Sequence, residues 1–110
     1  MRQSIGSTLE VTTGSADPTA CEIVVNATPL GMIKDDPLPL AVDRISPSSL
    51  VGEVVMKQEI TPFLAAARAK DCDYQVGTDM LFEQIPAYLE FFGFGRATSD
   101  ELRKLARIHY

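Results

Sequence analysis

The chain has 110 residues, a formal net charge of −5 and an apolar content of 45%. This length is enough for one domain with its own core, and the ordinary glycine and proline contents exclude collagen-like, coiled-coil and disordered classes. The acidic balance argues against nucleic acid as a partner, because phosphate binding needs a basic surface. No apolar stretch approaches the ~20 residues that cross a bilayer, and the chain does not open like a signal peptide. We therefore expect a cytoplasmic protein that contacts neither nucleic acid nor membrane.

The two cysteines, Cys21 and Cys72, match no CxxC spacing. They are too few for a zinc site of their own, so we expect reduced, partly buried thiols and no metal. No Ser-His-Asp, HExxH or P-loop pattern occurs, and the residues taken singly define no catalytic group.

Four short segments have the composition of strands. Residues 22–26 and 50–55 are rich in β-branched side chains, as is typical of parallel strands buried on both faces. Residues 9–12 and 74–76 carry weaker signals. Three or four strands are therefore expected.

Helix signals follow the strands. Thr61 and Pro62 form an N-cap and first-turn pair that predicts a helix over 63–70. A second helix should begin at Thr78 or Asp79, kink at Pro86 and stop at Gly93 and Gly95. Its apolar stripe has helical period and consists of Leu81, Ile85, Tyr88, Leu89 and Phe92.

A third helix is predicted near the C-terminus, within residues 96–110. Thr98 and Glu101 have the spacing of a capping box, with Leu102, Leu105 and Ala106 on one side. Strands that lead into helices favour an α/β sheet over a helical bundle or a sandwich. Residues 1–110 are therefore interpreted as one unit of this class.

Three blocks of the sequence, taken in order, indicate more than a fold class. They are IVVNATPLGM at 23–32, EVVM at 53–56 with TPFL at 61–64, and GTDML at 77–81 with Gln84. This ordered set resembles the C-terminal half of the shikimate and quinate dehydrogenases. That half is a Rossmann-like domain that binds NADP, so the resemblance implies a partial Rossmann-like parallel sheet with flanking helices.

The resemblance also implies roles for individual residues. Asn26, Ala27 and Thr28 would end a strand at the crevice where the nucleotide lies. The nicotinamide pocket would be lined by Val54, Gly77, Met80 and Leu81. Gln84 would hydrogen-bond a substrate hydroxyl, since an amide both donates and accepts. The alternatives are that Asn26 caps the strand, that Met80 and Leu81 are core, and that Gln84 is solvated.

Two residues depart from the family pattern. Glu53 and Met56 stand where the family has Asp and Tyr. The Tyr contributes to substrate contact, so the resemblance implies that Met56 lies at the substrate site. The loss of that hydroxyl puts shikimate itself in question as the substrate and favours a divergent branch that acts on shikimate or a related cyclic polyol acid.

Several family motifs are missing from these 110 residues. They are the G-x-G-x-x-G loop, the Asn-Arg-Thr segment for the 2′-phosphate, and the Lys and Asp of the substrate domain. The first hypothesis is therefore a C-terminal cofactor-domain portion of an NADP-dependent oxidoreductase, inactive by itself. The others are a stand-alone pseudoenzyme or dimerising module, and an unrelated α/β domain that binds a small molecule.

The small number of strands predicts self-association. A full doubly wound half has about six strands, so one strand edge and part of one sheet face should lack their neighbours. We expect the isolated chain to form a symmetric homodimer, with or without exchanged helices.

Overall fold

The computed structural model describes residues 11–108. In chain order its elements are β1 (Ile23–Asn26), a 3₁₀ turn (Val42–Arg44), β2 (Leu50–Glu53), α1 (Pro62–Arg68), β3 (Asp73–Gln75), α2 (Gly77–Phe91) and α3 (Ser99–Leu105). The strands form one parallel sheet in the order β1-β2-β3. The predicted α/β class is confirmed. Of the weak strand at 9–12, residues 9 and 10 lie outside the described part, and Val11 and Thr12 are not in a strand.

Helix α1 builds the core by covering one face of the sheet. Thr61 caps it, its hydroxyl oxygen accepting a hydrogen bond from Leu64 N at 3.2 Å. Pro62 occupies the first turn, where its missing N–H costs nothing. The buried cluster consists of Val24, Val42, Ile45, Val51, Phe63, Leu64, Ala67 and Cys72.

The opposite face of the sheet is accessible. Ile23 is 64% and Val25 56% exposed, and Leu50 beside them is also exposed. The prediction that β1 is buried on both faces is therefore wrong, because α1 packs on Val24 and leaves the alternate residues open. In β2 the prediction holds better, since Val51, Gly52 and Glu53 are all buried.

Several element ends differ from prediction by one or two residues. Strand β2 ends at Glu53 instead of residue 55, and β3 spans Asp73–Gln75 instead of 74–76. Helix α1 ends at Arg68, because the chain turns through Asp71, whose φ of 60° is left-handed.

Helix α2 begins at Gly77, before the predicted Thr78 or Asp79, and its N-cap Val76 makes no side-chain cap bond. Pro86 lies inside the helix without ending it. Gly93, at φ 74°, follows the helix end, as its conformational freedom predicts. Much of the predicted stripe is not buried: Leu81, Tyr88 and Phe92 are exposed.

Helix α3 is shorter than the predicted segment 96–110, of which residues 109 and 110 lie outside the described part. The Thr98–Glu101 capping box is confirmed. Arg103 joins α3 to α2: its guanidinium lies 3.2 Å from Asp79 and 2.7 Å from Glu83. The same group lies over the Phe82 ring, 5.5 Å from its centroid. These contacts hold the two helices together.

The cysteines are unpaired, as expected, but only one is buried. Cys21 is exposed, whereas the Cys72 thiol is buried and donates to Ser46 O at 3.4 Å. No helix within residues 11–108 has both the length and the apolar character needed to cross a membrane.

Candidate cofactor edge of the sheet

The carboxyl ends of the three strands meet at one edge. Strand β1 ends at Asn26 and β2 at Glu53, and these two are register partners. Beyond them, Val54 N donates to Asn26 O at 3.1 Å. Strand β3 passes almost directly into α2 at Gly77. Ligands of open parallel sheets bind outside this edge. We call it the cofactor edge and define it by Asn26, Val54 and Gly77.

Asn26 closes the turn that follows β1. Its side chain is 2% exposed, and its Oδ1 accepts from Thr28 N at 3.1 Å and from Thr28 Oγ1 at 2.7 Å. Its Nδ2 donates to Leu30 O at 3.0 Å. The Asn26 amide therefore shapes the turn, which favours its capping role. Ala27 and Thr28 are exposed on that turn and are available to a ligand.

Gly77 brings the start of α2 against the backbone that follows β2. A Cβ at this position would overlap Val55 O and lie 2.7 Å from the Val55 carbonyl carbon and 3.1 Å from that of Val54. Only glycine allows so close an approach. The structure thus brings together Val54 and Gly77, two of the predicted pocket residues.

Met80 and Leu81 lie on the first turns of α2. Met80 is half-buried, Leu81 is exposed, and neither belongs to the buried core cluster. The alternative that they are core residues is not favoured. They remain available as an apolar wall at this end of the helix.

The two predicted substrate residues lie on separate segments. Gln84 is half-buried on α2, and its Oε1 accepts from Tyr88 Oη at 3.1 Å. Met56 is exposed in the loop after β2. Both side chains are accessible, and their predicted substrate contacts remain predictions.

Glu53 is the unusual residue of this edge. Its side chain is only 3% exposed, and neither carboxyl oxygen has a hydrogen-bond partner. Burial raises the pKa of Glu53, while the nearby Thr61 hydroxyl and Asn26 amide oppose the shift without cancelling it. The sequence marked Glu53 as a departure from the family, but a single sequence does not show that this carboxyl is buried.

Two adjoining clefts open between the loops that follow β1 and β2. They have volumes of about 260 and 330 Å³ and share Met32 and Lys57. Lys34 lines the first of them. The two lysine ammonium groups suit an anionic ligand. Asp36 also lines the second cleft, where its carboxylate accepts hydrogen bonds from the Gly31 and Ile33 amides. Sequence reasoning missed both lysines, because lone lysines in loops carry no motif.

The architecture by itself defines the class of domain. A parallel sheet with a helix starting against its carboxyl edge is the arrangement of Rossmann-like nucleotide-binding domains. Solved structures agree. Quinate dehydrogenase from Corynebacterium glutamicum in complex with NAD is 34% identical with a TM-score of 0.65, covering 77% of this chain and 30% of that one. Shikimate 5-dehydrogenase from Listeria monocytogenes, in complex with shikimate and NAD, is 26% identical with a TM-score of 0.68 and covers 76% and 30%.

The sequence comparison finds shikimate dehydrogenases. The chain is 39% identical over 82 residues to shikimate dehydrogenase (NADP(+)) from Paracoccus denitrificans. The match covers 74% of this chain and 29% of that relative. No protein-family model matches. The expected resemblance is confirmed: this chain is a partial homologue of the shikimate dehydrogenases, and it spans less than a third of their length.

Proposed function

We propose that this chain forms the nicotinamide side of an NADP-dependent oxidoreductase of the shikimate dehydrogenase type. The reaction is hydride transfer between NADP(H) and shikimate, 3-dehydroshikimate or a related cyclic polyol acid. The packing of Gly77 on the Val54–Val55 backbone, beside the Asn26 turn, carries this proposal. This packing supports the proposal because ligands of open parallel sheets bind outside the carboxyl ends of the strands. We propose NADP as the cofactor because the name of the Paracoccus relative specifies NADP(+).

The nicotinamide ring supplies the hydride chemistry when it is bound. The chain's own contribution is shape and orientation. Val54, Met80 and Leu81 offer an apolar wall that excludes water from one side of a ring. Gln84 offers an amide that can orient a substrate hydroxyl, since it both donates and accepts.

The substrate contacts of this chain should differ from those of its relatives. The thioether of Met56 cannot donate a hydrogen bond to a hydroxyl, as a tyrosine in that position can. Lys57 follows it in the same loop and lines the cleft, where its ammonium group can meet a carboxylate. We infer an acid that presents its carboxylate to Lys57 and an apolar part to Met56.

These 110 residues are proposed to be inactive alone. A dinucleotide's pyrophosphate is bound by backbone N–H groups of a glycine-rich turn at a helix N-terminus, and the sequence has no G-x-G-x-x-G loop. It also lacks the family's proton-transferring Lys and Asp, and such groups contribute ~10²–10⁴-fold. Turnover therefore needs the remaining two thirds of a family-length protein.

The role of Gln84 is testable in a chimera. Residues 22–94 of this chain replace the matching portion of the Paracoccus enzyme, and Gln84→Ala is introduced. Loss of a hydrogen bond to a buried substrate hydroxyl should lower kcat/KM by about 5- to 150-fold, equivalent to ~1–3 kcal/mol. Steady-state kinetics on the best substrate measure the change.

Tyr88→Phe is the matched control, since it removes the Tyr88–Gln84 bond and keeps the amide. We expect its kcat/KM to stay within about twofold of the parent chimera. If Gln84→Ala is equally mild, Gln84 does not contact the substrate.

A dimerising module is the second candidate, and the open sheet face favours it. The edge of β1 carries no charge or proline that would block pairing, and Ile23, Val25 and Leu50 are exposed beside it. Two β1 strands could pair antiparallel about Val24, setting Ile23 opposite Val25 of the second copy. The expected result is a dimer in size exclusion with light scattering at micromolar concentration. A monodisperse 12.0 kDa species without dye-binding apolar surface would contradict it.

A further inference from the structure

The buried carboxyl of Glu53 has two polar neighbours from different elements. Asn26 is its register partner at the end of β1, and both side chains point to the face that α1 covers. Thr61, fully buried, caps α1 on that side. Asn26 and Thr61 are close enough to Glu53 to act on its ionisation, yet neither makes a hydrogen bond to it in this structure.

Each neighbour has a hydrogen to offer. The Thr61 oxygen accepts from Leu64 N, so the hydroxyl hydrogen is left to donate. The Asn26 amide nitrogen has two hydrogens, and one donates to Leu30 O. A carboxylate has two oxygens and no hydrogen. These two donors thus match what an ionised Glu53 needs, one for each carboxyl oxygen.

We propose that Glu53 is a positioning residue that, in its ionised form, accepts hydrogen bonds from Asn26 and Thr61 and thereby ties the turn after β1 to the start of α1. When Glu53 is protonated, one carboxyl oxygen becomes a hydroxyl donor, and at least one of the two bonds is lost. The inference rests on the proposed function for its consequence, since that turn carries Ala27 and Thr28 to the cofactor edge. The orientation of these residues then depends on one buried proton.

No charged side chain within residues 11–108 is among the groups that shift the Glu53 pKa. Asp36 accepts from Gly31 N at 2.9 Å and from Ile33 N at 3.0 Å. Asp79, in the first turn of α2, is paired with Arg103. Lys57 lines the outer cleft. The neighbours that affect the Glu53 pKa are the neutral Asn26 and Thr61, so its titration can be followed separately.

The test is an NMR pH titration of the full chain without any ligand. The Glu53 side-chain carboxyl carbon reports ionisation, with a midpoint expected above the ordinary 4.5. The Thr28 and Leu64 amides report the positions of Asn26 and Thr61, to which they donate. Both amide shifts should titrate with the Glu53 midpoint. Glu53→Gln should abolish both titrations, whereas Glu53→Asp, which keeps a carboxylate, should retain them.

Asp36→Asn is the control. It should alter the Gly31 and Ile33 amides and leave the Thr28 and Leu64 titrations in place. If the Thr28 and Leu64 amide shifts do not change with the Glu53 midpoint, or still titrate in Glu53→Gln, the proposal is wrong. If the Gln variant does not fold, the comparison of midpoints in the unmodified chain decides. No cofactor is used, so failure here is distinct from failure of the chimera.

Discussion

Gly77→Ala should destabilise the chain by about 3 kcal/mol or more, at the upper end of overpacking costs. The new methyl group would overlap Val55 O and come within 2.7 Å of the Val55 carbonyl carbon. Both atoms belong to the backbone, so no side-chain rotation relieves the overlap. The gain in helix propensity from glycine to alanine is at most ~1 kcal/mol and cannot compensate. Urea unfolding followed by circular dichroism at fixed protein concentration measures the change.

Gly95→Ala is the matched control for this substitution. A Cβ at Gly95 meets no atom within 4 Å, and its φ is not left-handed. The free energy of unfolding should therefore change by less than ~0.5 kcal/mol. If Gly77→Ala is as mild as Gly95→Ala, α2 does not start against the β2 backbone, and the cofactor edge loses its main support.

Glu53→Gln should make the chain more stable than the parent in mildly alkaline buffer. Burial raises the pKa of Glu53 above 4.5, so ionisation costs more in the folded than in the unfolded chain. The stability that is fully present below 4.5 is therefore lost as pH rises through the folded pKa. Glutamine stays neutral and escapes this loss. Urea unfolding at a series of pH values should show the two chains diverging in that window.

Glu59→Gln serves as the control, because Glu59 is exposed in the loop before α1. Its unfolding curve should follow that of the unmodified chain at every pH. A constant difference between Glu53→Gln and the parent, unchanged by pH, would show that the Glu53 proton is not linked to folding.

Interactions between neighbouring residues predicted the positions of the helices and strands well. They did not predict which faces of the strands are buried. Thr61-Pro62 and the Thr98–Glu101 capping box placed two helix starts, because each is decided by neighbouring residues. The run Ile23–Asn26 predicted a strand but not its exposure. A run of β-branched residues has the same sequence pattern whether one or both faces of the sheet are covered by helices. Only the assembled sheet shows which face α1 covers.

The candidate site was likewise predicted only in part. The ordered motifs led to Asn26, Val54 and Gly77, which the fold brings to one edge. The same motifs did not reveal that the Asn26 amide hydrogen-bonds within the turn that follows β1, nor that Glu53 is buried. Those facts depend on contacts between segments far apart in sequence, here β1, β2 and the start of α1.

The most direct test of the proposed function measures NADP(H) turnover by two proteins, the isolated chain and the chimera that carries its residues 22–94. The substrates are shikimate, quinate, 3-dehydroshikimate and related cyclic polyol acids, and the signal is the near-ultraviolet absorbance of the reduced cofactor. The account predicts no turnover by the isolated chain above a heat-killed control and clear NADP-dependent turnover by the chimera. Turnover by the isolated chain, or a folded chimera that neither binds NADP nor acts on any of these acids, would contradict it.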